Sequence, residues 1–184
     1  PCTYGTGSEV TPFAVITDNN QYKNAVIGPE IIPDVGILDS EMAVALPLPI
    51  AGATGMDALT HAIESYTSLS SNTISEGLAL QAIRLISKNL RQAGANDYNH
   101  NATQQMLIAS TTAGMAFSQT RLGNVHALSH PVSGHYDVPH GIANAILLPH
   151  IMDFNRMACP TKFADIAVAL GENIEGLDEM EAAT

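Results

Sequence analysis

A short stretch of the chain concentrates histidine. Residues 125–141 read VHALSHPVSGHYDVPHG and hold four of the seven histidines among 184 residues. His126 and His130 are four residues apart, the same i, i+4 spacing that brings two side chains together wherever the chain is helical. His140 stands in a Pro-His-Gly sequence where a helix is expected to begin. Since the positive end of the helix dipole disfavours an imidazolium ion, we expect His140 to be neutral, the form that binds metal.

A second pair of candidate ligands lies earlier in the chain. Asp57 and His61 are also four residues apart and stand outside the apolar stripe of their predicted helix. One carboxylate with several neutral imidazoles suits Fe(II), Zn, Mn or Co and does not suit Cu(I) or an iron–sulfur cluster. Spacing alone leaves open which histidines bind, and it leaves open a hydrogen-bonded polar loop that holds no ion.

The elements that must position these residues change in character near residue 47. Before it, β-like runs occupy 13–18, 24–28 and 35–39, and the first two predict a hairpin around Asn19 and Asn20. After it, the apolar spacing predicts helices over 50–68, 74–93, 101–120, 141–157 and 161–170. The pattern therefore indicates the end of an α/β unit followed by a mainly α, multihelical domain.

Charge and composition exclude several classes of partner. Seven Lys and Arg stand against eighteen Asp and Glu, and no basic run occurs, so nucleic acid and anionic membranes are poor partners. No apolar stretch is long enough to span a membrane, and no secretory signal is visible. Cys2 and Cys159 lack the spacing of a zinc or redox motif, which favours a cytoplasmic protein with reduced thiols. Both ends of the chain look cut, which suggests a fragment.

Four stretches carry a resemblance to the iron-containing, NAD(P)-dependent alcohol dehydrogenases, the group that includes lactaldehyde reductase and propanediol and butanol dehydrogenases. They are GTGSEVT (5–11), ATGMDALTHAIESY (53–66), GNVHALSHPVSGHYDVPHG (123–141) and IANAILLPHIMDFN (142–155). The resemblance implies that residues 1–47 end a Rossmann-like, dinucleotide-binding α/β domain. Residues 48–184 would then form a truncated, dehydroquinate synthase-like helical domain that binds the metal.

The same resemblance assigns roles to individual residues. It implies four metal ligands: Asp57, His61, His126 and His140. It places His130 on the substrate and nicotinamide side of the cleft, as the catalytic residue. It assigns contacts with the nicotinamide cofactor to Thr3, Thr6 and Lys23. With one carboxylate among its ligands, a divalent ion would leave the site with a net charge of +1.

The function implied is hydride transfer between a primary or secondary alcohol, or its aldehyde or ketone, and a nicotinamide cofactor. Fe(II) and NAD are the expected cofactors, with Zn(II) and NADP as alternatives, and the intact protein is expected to be a homo-oligomer. The chain alone is expected to be inactive. Two other hypotheses stay open. The protein is a zinc-dependent glycerol dehydrogenase or dehydroquinate synthase-like relative, or it is a metal-binding module without catalytic activity.

Overall fold

A β-hairpin followed by a helical body makes up the computed structural model, which describes residues 1–95 and 98–184. The strands are β1 (Phe13–Thr17) and β2 (Lys23–Ile27). The helices are α1 (Leu48–Thr67), α2 (Thr73–Ala95), α3 (His100–Thr120), α4 (Asn124–Tyr136), α5 (His140–Arg156), α6 (Pro160–Leu170) and α7 (Glu179–Ala182). The predicted mainly α fold is confirmed. Among the described helices, none has both the length and the apolar character needed to cross a bilayer.

The predicted hairpin is present. β1 and β2 pair antiparallel, with Phe13 opposite Ile27 and Thr17 opposite Lys23. The Asp18 carboxylate accepts backbone hydrogen bonds within the turn, which satisfies donors that the strand ladder leaves free. The strand predicted over 35–39 is wrong. That segment does not join the sheet, which among the described residues consists of β1 and β2, and it runs as irregular chain that is mostly exposed.

The helical body is organised around α1. This helix packs against α2, α3 and α5, and its residues Ala51, Ala58 and Ala62 have no exposed surface. Small side chains at these positions allow neighbouring helices to approach closely. Two apolar clusters result: one is built on Ile63 and Ile83, and the other on Ile86 and Met106. Because α1 contributes to both clusters, side chains on its remaining face are held in fixed positions.

Two further helices bring the histidine-rich stretch to α1. The chain enters α4 after Gly123, and α4 ends at Tyr136, just before Asp137, whose φ of 55° is left-handed. After Pro139 the chain enters α5, which crosses α1 at very short range. A Cβ atom on Gly141 would lie 1.9 Å from the backbone oxygen of Ala53, so only glycine fits there. The histidines at the start of α4 and α5 therefore reach the face of α1 that carries Asp57.

Candidate metal centre

Four side chains from three helices converge on one point. Oδ1 of Asp57 lies 3.7 Å from Nε2 of His61, 3.5 Å from Nε2 of His126 and 3.6 Å from Nε2 of His140. Asp57, His61 and His126 are buried, and their ligand atoms all lie within 4.8 Å of one another. The His140 side chain is 28% exposed, so it stands at the open side of the cluster. All four residues that the resemblance selected are thus brought together.

The spacing of these atoms fits a divalent ion. Distances of 3.5–3.7 Å are too long for direct hydrogen bonds. Ligands about 2.0–2.2 Å from a tetrahedral metal are about 3.3–3.6 Å from one another, which is close to what the structure shows. The donor set of one carboxylate and three imidazoles suits Fe(II) or Zn(II). The residues present therefore fit the metal that the sequence predicts.

The outer nitrogen atoms of two imidazole rings have fixed partners. Nδ1 of His61 lies 3.1 Å from the backbone oxygen of Gly5, to which it can only donate. Nδ1 of His126 lies 2.6 Å from Oε2 of Glu64. With Nδ1 engaged in this way, Nε2 is the nitrogen of each ring that is left to bind a metal ion, which takes the place of any proton there. His61 also stacks between the rings of Phe117 and His126, with centroids 4.5 and 4.6 Å away.

Sequence reasoning missed Glu64, a buried carboxylate beside the candidate ligands. Glu64 is 5% exposed and lies beside His126, so two carboxylates accompany the cluster and not one. The net charge of +1 predicted for the four ligands with a divalent ion counts Asp57 alone and stays a prediction. The spacing of Asp57, His61 and Glu64 at positions i, i+4 and i+7 of one helix face is the signal that was available.

Asn144 is a second polar residue that the sequence reasoning missed. It is fully buried on α5, one turn beyond His140. Its Nδ2 atom lies 2.7 Å from Oδ1 of Asp57, 3.2 Å from Nε2 of His126 and 3.3 Å from Nε2 of His140. The Asn144 amide therefore contacts three of the four candidate ligands directly.

Burial and charge act in opposite directions on the ionisation of this cluster. Burial raises the pKa of Asp57, but the neighbouring imidazoles, His61 first among them, outweigh it and lower that pKa to about 2. Burial lowers the pKa of His61 and of His140 to about 4, which keeps both rings neutral near pH 7. Burial also acts to lower the pKa of His126, yet Asp57 and Glu64 prevail and raise it to about 9. His126 is thus the most basic of the three rings.

The cluster lies at the base of a cleft of about 520 Å³. Apolar side chains from the hairpin and α3, including Phe13, Val15 and Phe117, form much of the wall. His130 lines the same cleft, and its ring centroid lies 5.9 Å from that of His126 and 5.2 Å from that of His140. Burial lowers the pKa of His130. His130 and an apolar wall thus flank the open side of the cluster.

The residues predicted to contact the cofactor separate into two groups. Thr6 and Lys23 line the cleft, and burial lowers the pKa of the Lys23 ammonium. Thr3 is half-buried and lies outside the cleft lining. The structure therefore brings two of the three to the mouth of the site.

The chain matches established family models along most of its length. Residues 51–184 match the model described as the C-terminal part of the Fe-containing alcohol dehydrogenase family. Residues 1–40 match the model for iron-containing alcohol dehydrogenase. The chain belongs to the iron-containing alcohol dehydrogenase family. The resemblance that the sequence motifs carry is thereby confirmed.

Sequence similarity to individual members of the family supports the same assignment. A 1,3-propanediol dehydrogenase of Citrobacter freundii is 49% identical over 182 residues, which cover 98% of this chain and 47% of the relative. Lactaldehyde reductase of Escherichia coli K12 is 41% identical, with 99% of this chain and 47% of the relative covered. The chain thus spans about half the length of these relatives.

Solved structures of the family share the fold. A crystal structure of 1,3-propanediol oxidoreductase superposes with a TM-score of 0.95 at 48% identity, over 99% of this chain and 48% of that one. An iron-containing alcohol dehydrogenase of Thermotoga maritima gives a TM-score of 0.86 at 34% identity, over 93% of this chain and 46% of that one. The helical architecture described above is therefore the architecture of the matching part of the family.

Proposed function

We propose that the intact protein is a metal-dependent oxidoreductase. It would transfer a hydride between a primary or secondary alcohol, or the corresponding aldehyde or ketone, and a nicotinamide cofactor. The observation that carries the proposal is the convergence of Asp57 and three imidazole Nε2 atoms at the base of an apolar cleft. Membership of a family whose relatives include 1,3-propanediol dehydrogenase and lactaldehyde reductase supports it.

The four candidate metal ligands come from three helices. Asp57 and His61 come from neighbouring turns of one helix, which gives half of the ligand set a rigid base. His126 and His140 close the set from α4 and α5. We propose Fe(II) as the resident ion, with Zn(II) as the alternative because N/O sites generally bind it more tightly. The ion, when bound, supplies Lewis-acid polarisation of the alcohol or carbonyl oxygen.

The remaining residues of the cleft would place the substrate and manage its proton. The half-buried imidazole of His130 is neutral near pH 7 and can accept or return a proton at the substrate oxygen. Phe13, Val15 and Phe117 exclude water from the reacting carbon. A bound nicotinamide would supply the hydride acceptor or donor, and the residues of the cleft would hold the substrate carbon beside it.

Residues 1–47 would contribute the adjacent part of the cofactor site. We propose that Thr6 and Lys23, with Thr3 behind them, contact the cofactor from the hairpin side, and that residues 48–184 form the metal-binding domain. Hydroxyl groups and one ammonium suit the pyrophosphate of a dinucleotide. NAD is the proposed cofactor and NADP the alternative. A homo-oligomer is the proposed state of the intact protein.

Alcohol-dependent reduction of NAD by the intact protein tests this function. Purified protein, stripped with a chelator and reloaded with Fe(II) or Zn(II), is assayed with 1,3-propanediol and, in reverse, with lactaldehyde. We expect activity that is lost on chelation and restored by metal. A folded protein that binds metal yet converts neither alcohols nor aldehydes with NAD or NADP would contradict the proposal and favour a non-catalytic metal-binding module.

A further inference from the structure

We infer that Glu64 is a positioning residue that aims the Nε2 atom of His126 at the metal. The inference rests on the proposed function, because it concerns the metal that function requires. Glu64 does not point at the cluster centre. It acts through His126, the buried histidine on α4.

The contacts of Glu64 are short and enclosed. Its Oε2 atom lies 2.6 Å from Nδ1 of His126, and its Oε1 atom accepts a hydrogen bond of 2.6 Å from the backbone N–H of Val125. The side chains of Glu64 and His126 are 5% and 3% exposed, so water does not compete for these bonds. An ionised carboxylate is an acceptor only, so the ring must carry its proton on Nδ1. Nε2, which lies 3.5 Å from Oδ1 of Asp57, is then the nitrogen left to bind a metal.

Glu64 also fixes the helix that carries His126. Val125 occupies the second position of α4, where backbone N–H groups lack partners within the helix and the dipole favours a negative charge. The helix has no side-chain cap from its own N-cap residue, Gly123. Glu64 of α1 supplies an acceptor from outside. One carboxylate therefore sets both the position of α4 and the rotation of the His126 ring.

A carboxylate is needed at position 64, because an amide of the same shape fails. If the oxygen of a glutamine accepts from Val125, its NH₂ group faces Nδ1 of His126. That ring would then have to accept at Nδ1 and carry its proton on Nε2, where it blocks a metal bond. If the amide is reversed, its NH₂ group faces the N–H of Val125, and two donors meet in a buried space. Neither orientation serves both neighbours.

The Glu64→Gln variant of the intact protein tests this inference through metal affinity. We expect Zn²⁺ affinity, measured by competition with a chromophoric chelator, to fall about 10- to 100-fold. Co²⁺ titration should show a changed visible absorption spectrum. Glu76→Gln, which removes a half-buried carboxylate on α2, is the matched control and should keep wild-type affinity. A Glu64→Gln affinity within about twofold of the control would overturn the inference.

A measurement on the wild-type protein gives a second, independent test. In the Zn²⁺-loaded protein, ¹⁵N–¹H correlation spectra of the His126 ring should show a protonated, hydrogen-bonded Nδ1 and a metal-bound Nε2. A ring bound through Nδ1, or one whose Nδ1–H has no hydrogen bond, would overturn the role of Glu64 even if the variant fails to fold. If the wild type binds no metal at this cluster, the proposed function fails first. If the wild type binds metal and the variant binds it equally, only the role of Glu64 fails.

Discussion

Nδ2 of Asn144 lies 2.7 Å from Oδ1 of Asp57, and this buried hydrogen bond joins α5 to α1 at the centre of the candidate metal site. The same nitrogen is within 3.3 Å of Nε2 of His126 and of His140. The partial positive charge of an amide N–H group thus lies where a carboxylate oxygen and two ring nitrogens meet. Asn144 therefore holds the ligands of different helices in register.

Replacing Asn144 by Ala should destabilise the metal-free protein. The change leaves the buried Asp57 carboxylate without its amide donor, which typically costs about 1–3 kcal/mol. Chemical denaturation of chelator-treated protein measures the loss. Asn89→Ala is the control, because the Asn89 amide donates to the Leu85 backbone oxygen of its own helix and, among the described residues, joins no second helix. Equal, small losses in both variants would argue against a structural role for Asn144 in the cluster.

Replacing His130 should reduce turnover, whereas replacing His126 should abolish metal binding. His130→Ala should keep its metal but lose about 10²-fold or more in turnover, because a proton-transfer group is lost while the ligands remain. His126→Ala should lose the metal itself. Elemental analysis and steady-state rates distinguish the two, and His135→Ala, on the exposed part of α4, should match wild type. Loss of metal from His130→Ala would make His130 a ligand.

Gly141→Ala should disrupt the contact of α5 with α1. The added Cβ would lie 1.9 Å from the backbone oxygen of Ala53. Because a backbone atom cannot rotate away as a side chain can, α5 itself must move. We expect the free energy of unfolding to fall by about 3 kcal/mol, the upper part of the usual range for overpacking. Metal affinity should fall with it, since His140 and Asn144 move on the same helix.

Gly52→Ala is the matched control for that variant. A Cβ at Gly52 in α1 meets nothing within 4 Å. Its stability should equal wild type or exceed it by up to about 1 kcal/mol, as expected when Ala replaces Gly within a helix. If Gly141→Ala behaves in the same way, the close approach of the two helices is incorrect.

The ion pair between Glu76 and Lys162 should make stability depend on pH. Hydrogen bonds from Lys162 and Ser71 lower the pKa of Glu76 below its usual 4.5. The stabilisation is therefore present above pH 4.5 and is lost as the pH falls through the lowered pKa. Glu76→Gln should cost about 0.5–1 kcal/mol at pH 7, because the pair is partly exposed. The difference from wild type should shrink in acid or at high salt, and a constant difference would rule out the ion pair as its source.

Sequence reasoning predicted the helices with clear apolar spacing and the pair formed by Asp57 and His61. It did not predict α4, because Pro131 and several small polar residues interrupt the apolar period of that segment. Glu64 was missed because its contact is distant in sequence. Its partner, the N-terminus of α4, is 61 residues away in sequence, so only the packed structure reveals the contact. Spacing within one helix is a local property, whereas the choice of His126 and His140 over His130 depends on how three helices dock.

The most direct test of the metal centre is a crystal structure of the intact, metal-loaded protein with anomalous scattering data collected at the absorption edge of the bound ion. We expect one strong peak about 2.0–2.3 Å from the Asp57 carboxylate and from Nε2 of His61, His126 and His140. A loaded protein whose peak lies elsewhere, or in which these four side chains point away from one another, would contradict the account.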